Sequence, residues 1–139
     1  MAESAARDIY RHTGRRSYEL LEASERFLES HGPISTNQAH GLENVINCEP
    51  KNINSVLGYV MHQGSKSTSR DTGFWKDLKS ELDGLRKQAK EIQEELGVEA
   101  PASKAAKEQL ALIHLALARD YVQHLAAHNE YRRAITGGR

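Results

Sequence analysis

SKAAKEQLALIHLALARDYVQHLAAHNEYRRAIT, residues Ser103 to Thr136, decides the fold of this chain. Ser103 is a residue type that caps the unpaired amides of a helix start, and no Gly or Pro follows it before Gly137-Gly138, so the spacing predicts one long helix. Leu110, Ile113, Leu117, Tyr121, Leu125, His128, Tyr131 and Ile135 recur at steps of three and four and fall along one face. A stripe of that length has to be closed against partners.

The nearest partner lies just upstream. Trp75, Leu78, Leu82, Leu85, Ala89, Ile92 and Leu96 form a heptad seam between Phe74 and Leu96, and the turn Gly97-Val-Glu-Ala-Pro-Ala102 is short enough to fold it back antiparallel on the last helix. Further upstream, a helix from Glu3 to His31, with a break at Thr13-Gly14, points Ile9, Tyr18, Leu21 and Leu28 inward. His31-Gly32-Pro33 ends it, and Ser35-Thr-Asn-Gln38 has the pattern of a capping box for a short helix through Leu42, Val45 and Ile46. Pro50 suits the first turn of the next helix, whose apolar positions Ile53, Val56, Leu57, Val60 and Met61 keep helical spacing up to Gly64. Gly64 to Gly73 lacks a period, is rich in Ser and Thr, and reads as an exposed flexible loop. No stretch alternates over a strand's length. The expected fold is all-α, one domain over residues 1–139, a bundle of four to six helices organised on the long antiparallel hairpin.

Composition narrows the function classes. Lys plus Arg equals Asp plus Glu at 19 each, so only local clustering can speak for a nucleic-acid partner. The single cysteine, Cys48, forms no internal disulfide and has Glu49 rather than a base or cation beside it, which speaks against a nucleophile. Met1-Ala-Glu-Ser-Ala-Ala-Arg-Asp8 lacks the apolar core of a signal peptide, and the apolar run from Leu110 to Ala118 is broken by His114. A cytoplasmic protein without a membrane segment is expected, and no motif calls for a cofactor.

Three patterns on the last helix could carry function. Arg119-Asp-Tyr-Val-Gln-His124 resembles the R-x4-H signature of HEPN-fold ribonucleases. That resemblance implies His124 as acid or base for 2′-OH attack and Arg119 as phosphate stabiliser across a dimer. Arg7-Asp-Ile-Tyr-Arg-His12 matches the same pattern, and the plain alternative for both is an ordinary Arg and His on bundle helices. His124 and His128 stand one turn apart, the spacing at which two imidazoles reach one metal ion, with Asp120 one turn earlier. No Cys pair or His-Glu-x-x-His motif accompanies them.

The third pattern is spread along the chain. Arg119-x-Tyr121-x-x-x-Leu125-Ala-Ala127-x-x-x-Tyr131, Ile34-Ser-Thr-Asn-Gln38, and Tyr59-Val-Met-His-Gln-Gly-Ser-Lys66 followed by Phe74-Trp-Lys-Asp-Leu78 occur in order. Together they resemble the small α-helical subunit of type III CRISPR effector complexes, with Ala39-His40 in place of that family's basic residue. The resemblance implies a non-catalytic, architectural role in antiviral defence. Copies would stack beside other effector subunits and contact the backbone of guide RNA and target nucleic acid. That chemistry asks for exposed cations. The candidates are Lys66, Arg70, Lys76 and Lys79 around the loop, Arg119, Arg132 and Arg133 on the last helix, and Arg15 and Arg16 as a second patch. Phe74 and Trp75 could stack on a base, against which stands their place at the head of the heptad. A helical adaptor without nucleic acid is the remaining class, favoured if these cations are paired with the chain's own carboxylates.

Overall fold

The computed structural model describes residues 2–47, 53–66, 69–97 and 102–135, with side chains described from residue 7 onward and not for 66–72. Pro50, Cys48 and Thr136 therefore lie outside the described residues. Six helices are described: α1 (Ala2–Gly14), α2 (Ser17–His31), α3 (Thr36–Asn47), α4 (Ile53–Lys66), α5 (Ser69–Glu95) and α6 (Lys104–Ile135). Among the described residues there is no strand, and the fold is an all-α bundle. No helix among them is long and apolar enough to cross a membrane.

The boundaries follow local chemistry. Ser35 Oγ accepts from the Gln38 amide at 3.2 Å while Gln38 Oε1 accepts from the Ser35 amide at 3.1 Å, the reciprocal capping box the sequence announces. Ser103 Oγ accepts from the Ala106 amide at 3.1 Å and opens α6. Gly32 (φ 82°) and Gly97 (φ 77°) take the left-handed backbone that ends α2 and α5, where a side chain would be strained.

α6 is the axis and packs against each of the other helices. With about 1.5 Å per residue it runs about 48 Å, against about 40 Å for α5. His114 Nε2 meets Leu82 O at 2.8 Å, and Gln93 Nε2 donates to Ala106 O at 2.7 Å, so α5 and α6 are antiparallel. α2 lies parallel to α6, since Ser17 pairs with His124 and Glu29 with Arg132 further along. α3 returns antiparallel, with Ile34 beside Asn129 and Ile46 beside Arg119. All six heptad positions from Trp75 to Ile92 are buried, and they share one core with Ile113, Leu117, Tyr121 and Leu125 of α6, Leu20 and Leu28 of α2, Leu42 and Ile46 of α3, and Val56 and Val60 of α4.

Four expectations need correction. Residues from Ser69 to Gly73, expected in a loop, form the first turns of α5, and α4 continues through Lys66. Burial of Phe74 and Trp75 anchors that end, so the helix propagates backward through residues of weak propensity. Tyr18 is 70% exposed and Leu21 only half-buried, while Leu20 and Phe27 enter the core in their place. At about 100° per residue Tyr18 falls opposite Ile9 while Leu20 and Phe27 fall beside it, so the core face runs through Ile9, Thr13, Leu20, Ser24 and Phe27 across the break. Met61 is 57% exposed, because α4 presents Val56 and Val60 to α5 and leaves the next position outside. Tyr131 and Ile135, expected on the apolar face of α6, are 60% and 59% exposed where the helix overruns its neighbours. Conversely, Leu115, Ala118, Val122, Ala126 and Asn129 are buried, so α6 is covered over more than half its circumference rather than along one stripe.

Candidate nucleic-acid interface and the arginine-histidine cleft

The nine candidate cations separate by what they touch. Arg16 Nη1 meets Glu91 at 2.9 Å and Nη2 meets Glu95 at 3.1 Å, tying the α1–α2 junction to α5. Burial works against the charge of Arg16, and the hydrogen bonds and charges of Glu91 and Glu95 outweigh it, raising its pKa. Arg119 Nε donates to Ile46 O at 3.3 Å, satisfying a carbonyl in the last turn of α3. Arg132 pairs with Glu29 at 3.3 Å, and Arg133 donates to Ile34 O at 3.3 Å. The α6 arginines therefore fasten α2 and α3 to the axis. Arg15 and Lys76 are exposed, Lys79 is half-buried, and none of these three is in an ion pair with a described residue. The side chains of Lys66 and Arg70 lie outside the described residues.

α5 splits its charges by side. At 100° per residue, Lys76, Lys79, Arg86, Lys87 and Lys90 fall on one flank and Asp77, Glu81, Glu91 and Glu95 on the other, with Asp83 and Glu94 among the cations. The acidic flank is engaged internally: His31 meets Asp77 at 2.7 Å, His12 meets Glu95 at 2.9 Å, and Arg16 bridges Glu91 and Glu95. The basic flank forms no ion pair among the described residues. Lys76 and Lys79 border a groove of about 290 Å³ that Val60, Met61, Gly64 and Trp75 complete. Phe74 and Trp75 are 4% and 1% exposed, packed edge-to-face on each other with ring centroids 5.2 Å apart, so they are core residues and offer no face to a base. Sequence reasoning missed Arg86, Lys87 and Lys90. Their spacing of two and three turns from Lys79 and Lys76 was readable, but the interleaved Asp83 and Glu94 hid it.

The R-x4-H residues sit at a second feature, a cleft of about 240 Å³ lined by Tyr10, Thr13, Gly14 and Ser17 from α1–α2 and Ala116, Arg119, Asp120 and Gln123 from α6. His124 reaches it through Ser17, whose Oγ lies 3.0 Å from His124 Nε2. Asp120 Oδ2 is 3.4 Å from the same nitrogen. A proton relay needs the hydroxyl and the carboxylate on opposite ring nitrogens. Here both face the same nitrogen, so the Ser17–His124 pair anchors α2 to α6 without such a relay. In the other copy of the pattern, Arg7 is exposed and His12 is turned to Glu95.

His128 turns to Glu29 at 3.4 Å and Glu25 at 4.0 Å, away from the partners of His124. No group of three or more His, Cys, Asp and Glu among the described residues is placed to hold a metal ion. Tyr121 is fully buried, and burial followed by the charge of Glu81 pushes its phenol far above the ordinary range. It is a core group and stays neutral.

The fold and its charged surface define a helical-bundle protein whose α5 carries a basic flank in no ion pair with the described residues. Comparison of the chain with protein-family models, curated proteins and solved structures returns no match.

Proposed function

We propose that the chain is a non-catalytic helical subunit of a nucleic-acid-bearing assembly, of the kind the small subunit of type III CRISPR effectors represents, and that it meets the phosphate backbone with the α4–α5 side. The observation that carries this reading is the split of α5, whose Asp77, Glu91 and Glu95 are spent on α1, α2 and their junction while Lys76 and Lys79 stand ready for an outside partner. Backbone contact needs little else, since phosphates are recognised by charge and reach. The engaged arginines Arg16, Arg119, Arg132 and Arg133 drop out as principal contacts under this reading, and Arg15 remains a peripheral one. The partners are guide and target strands, neighbouring effector subunits and further copies of the chain, in the cytoplasm.

The test is fluorescence anisotropy with a labelled single-stranded RNA at low salt, comparing the unmodified chain with Lys76→Gln/Lys79→Gln. The double variant should bind more weakly and lose about 1.4 from the slope of log K against log salt. Equal binding by the two proteins would overturn the reading. The ribonuclease alternative has one supporting observation, the cleft in which Arg119 and Asp120 stand beside the Ser17–His124 pair. Cleavage of RNA by the isolated chain that disappears in His124→Ala would favour it.

A further inference from the structure

At the far end of α5 the basic flank meets the start of α6 in a second cleft, of about 500 Å³. Arg86 and Lys90 come from successive turns of α5 and Lys107 from the first turns of α6. All three are exposed, and none is in an ion pair with a described residue. Glu94 is the one carboxylate on the cleft wall, so the cleft carries a net charge of +2, three cations less one anion. Its floor is held still. Gln93, 8% exposed, donates through Nε2 both to Ala106 O at 2.7 Å and to Gln109 Oε1 at 3.0 Å, which fixes α5 against α6 beneath the cations.

Concave shape, unpaired cations of one sign and a preorganised floor are what a phosphate group selects. Position narrows the ligand further. The cleft continues the line of Lys76 and Lys79, and from Lys76 to Lys90 the flank extends about 21 Å of helix. A single phosphate would fill one end of that line. A polymer of phosphates can occupy all of it.

We infer that Arg86, Lys90 and Lys107 form a second phosphate-binding cleft, which receives the same nucleic-acid strand that Lys76 and Lys79 contact at the other end of α5. The inference rests on the nucleic-acid reading above and adds the path of the strand, along α5 rather than across the α4–α5 groove alone.

The experiment uses the full chain, labelled single-stranded RNA and a salt titration. Arg86→Gln/Lys90→Gln/Lys107→Gln should weaken binding at least about tenfold at low salt and lower the salt slope by about 2, three contacts at about 0.7 each. Glu94→Gln should do the reverse and tighten binding, a gain that misfolding cannot imitate. RNA binding that depends on Lys76 and Lys79 but is unchanged in the triple variant overturns the inference and leaves the nucleic-acid reading standing. No RNA binding by the unmodified chain overturns both. Inorganic tripolyphosphate is the second probe: if it perturbs the Gly97 and Lys107 amide resonances while RNA does not, the cleft takes free phosphate and the strand path is wrong.

Discussion

α5 and α6 are both long, charged helices on one core, and they use their cations in opposite ways. On α6, Arg119 and Arg133 are drawn to backbone carbonyls and Arg132 to Glu29. On α5, Lys76, Lys79, Arg86 and Lys90 border grooves and pair with no described residue. Position explains the difference. From Ile113 to Asn129, α6 is covered over more than half its circumference, so the arginines on and just past that stretch lie within reach of a neighbouring helix, while Lys107 stands ahead of it. α5 is covered on its core face, with α4 beside its first turns, and most of its charged residues stay exposed. A central helix spends its charges on assembly, and a peripheral one can keep them.

The largest effect that bears on this contrast is in the seam common to both helices. Leu82 is fully buried in the α5–α6 core, and Leu82→Ala should lower the unfolding free energy by about 2–5 kcal/mol, read by urea denaturation. A loss below about 1 kcal/mol would mean that the two helices are not held by that seam. Next is Asn129, 2% exposed, whose amide accepts from the Ile34 N–H at 2.8 Å and donates to Ile34 O at 3.1 Å. Asn129→Ala leaves the Ile34 N–H unpaired and Ile34 O with Arg133 alone, and should cost about 1–3 kcal/mol. The polar surface of α6 is then shown to be a fastener.

Sharper still is the matched comparison of cations. Arg119→Gln should destabilise by about 1 kcal/mol, since it strips a donor from the end of α3, and should leave RNA affinity unchanged. Lys76→Gln/Lys79→Gln should leave stability within about 0.5 kcal/mol and change RNA affinity instead. If Arg119→Gln weakens RNA binding as much as the lysine pair does, the division of labour between the helices is false.

How far the sequence foretold this depends on the range of the interaction. The α5 heptad, the Ser35–Gln38 box and the Ser103 cap were legible because each is settled within a few residues. The burial of Leu115, Val122 and Ala126 was not, because it depends on α2 and α3 arriving on further sides of α6. For the charges the distance is greater. Arg16 finds Glu91 75 residues away and Arg133 finds Ile34 99 residues away, so no local pattern tells an engaged arginine from an unengaged lysine. Tyr18 and Met61 were misplaced for a related reason, since apolar residues lie on more than one side of these helices and the packing partner decides which side is covered.

The smallest expected effect is on the acidic flank, and its sign can be worked out. His31 Nδ1 lies 3.0 Å from Phe27 O and Nε2 lies 2.7 Å from Asp77 Oδ2, two acceptors that only the protonated ring can serve together. Burial works against that charge, and the hydrogen bonds to Asp77 and Phe27 with the charges of Asp77 and Glu81 outweigh it, so His31 titrates above its ordinary 6.5. A raised folded value means that the α2–α5 latch contributes fully below about pH 6.5 and is lost as pH rises through the folded pKa. Glu95 runs the other way. The hydrogen bond from His12, with that from Arg16 and their charges, holds it below its ordinary 4.5 against a burial contribution of opposite sign, so its stabilisation is present above about pH 4.5 and is lost in acid. The stability gap between the unmodified chain and His31→Gln should therefore be widest just below about pH 6.5 and narrow steadily as pH rises above it in thermal melts. A gap that stayed constant with pH would show that the ring is held neutral, and one that opened toward alkaline pH would show that the neutral form is the tighter latch.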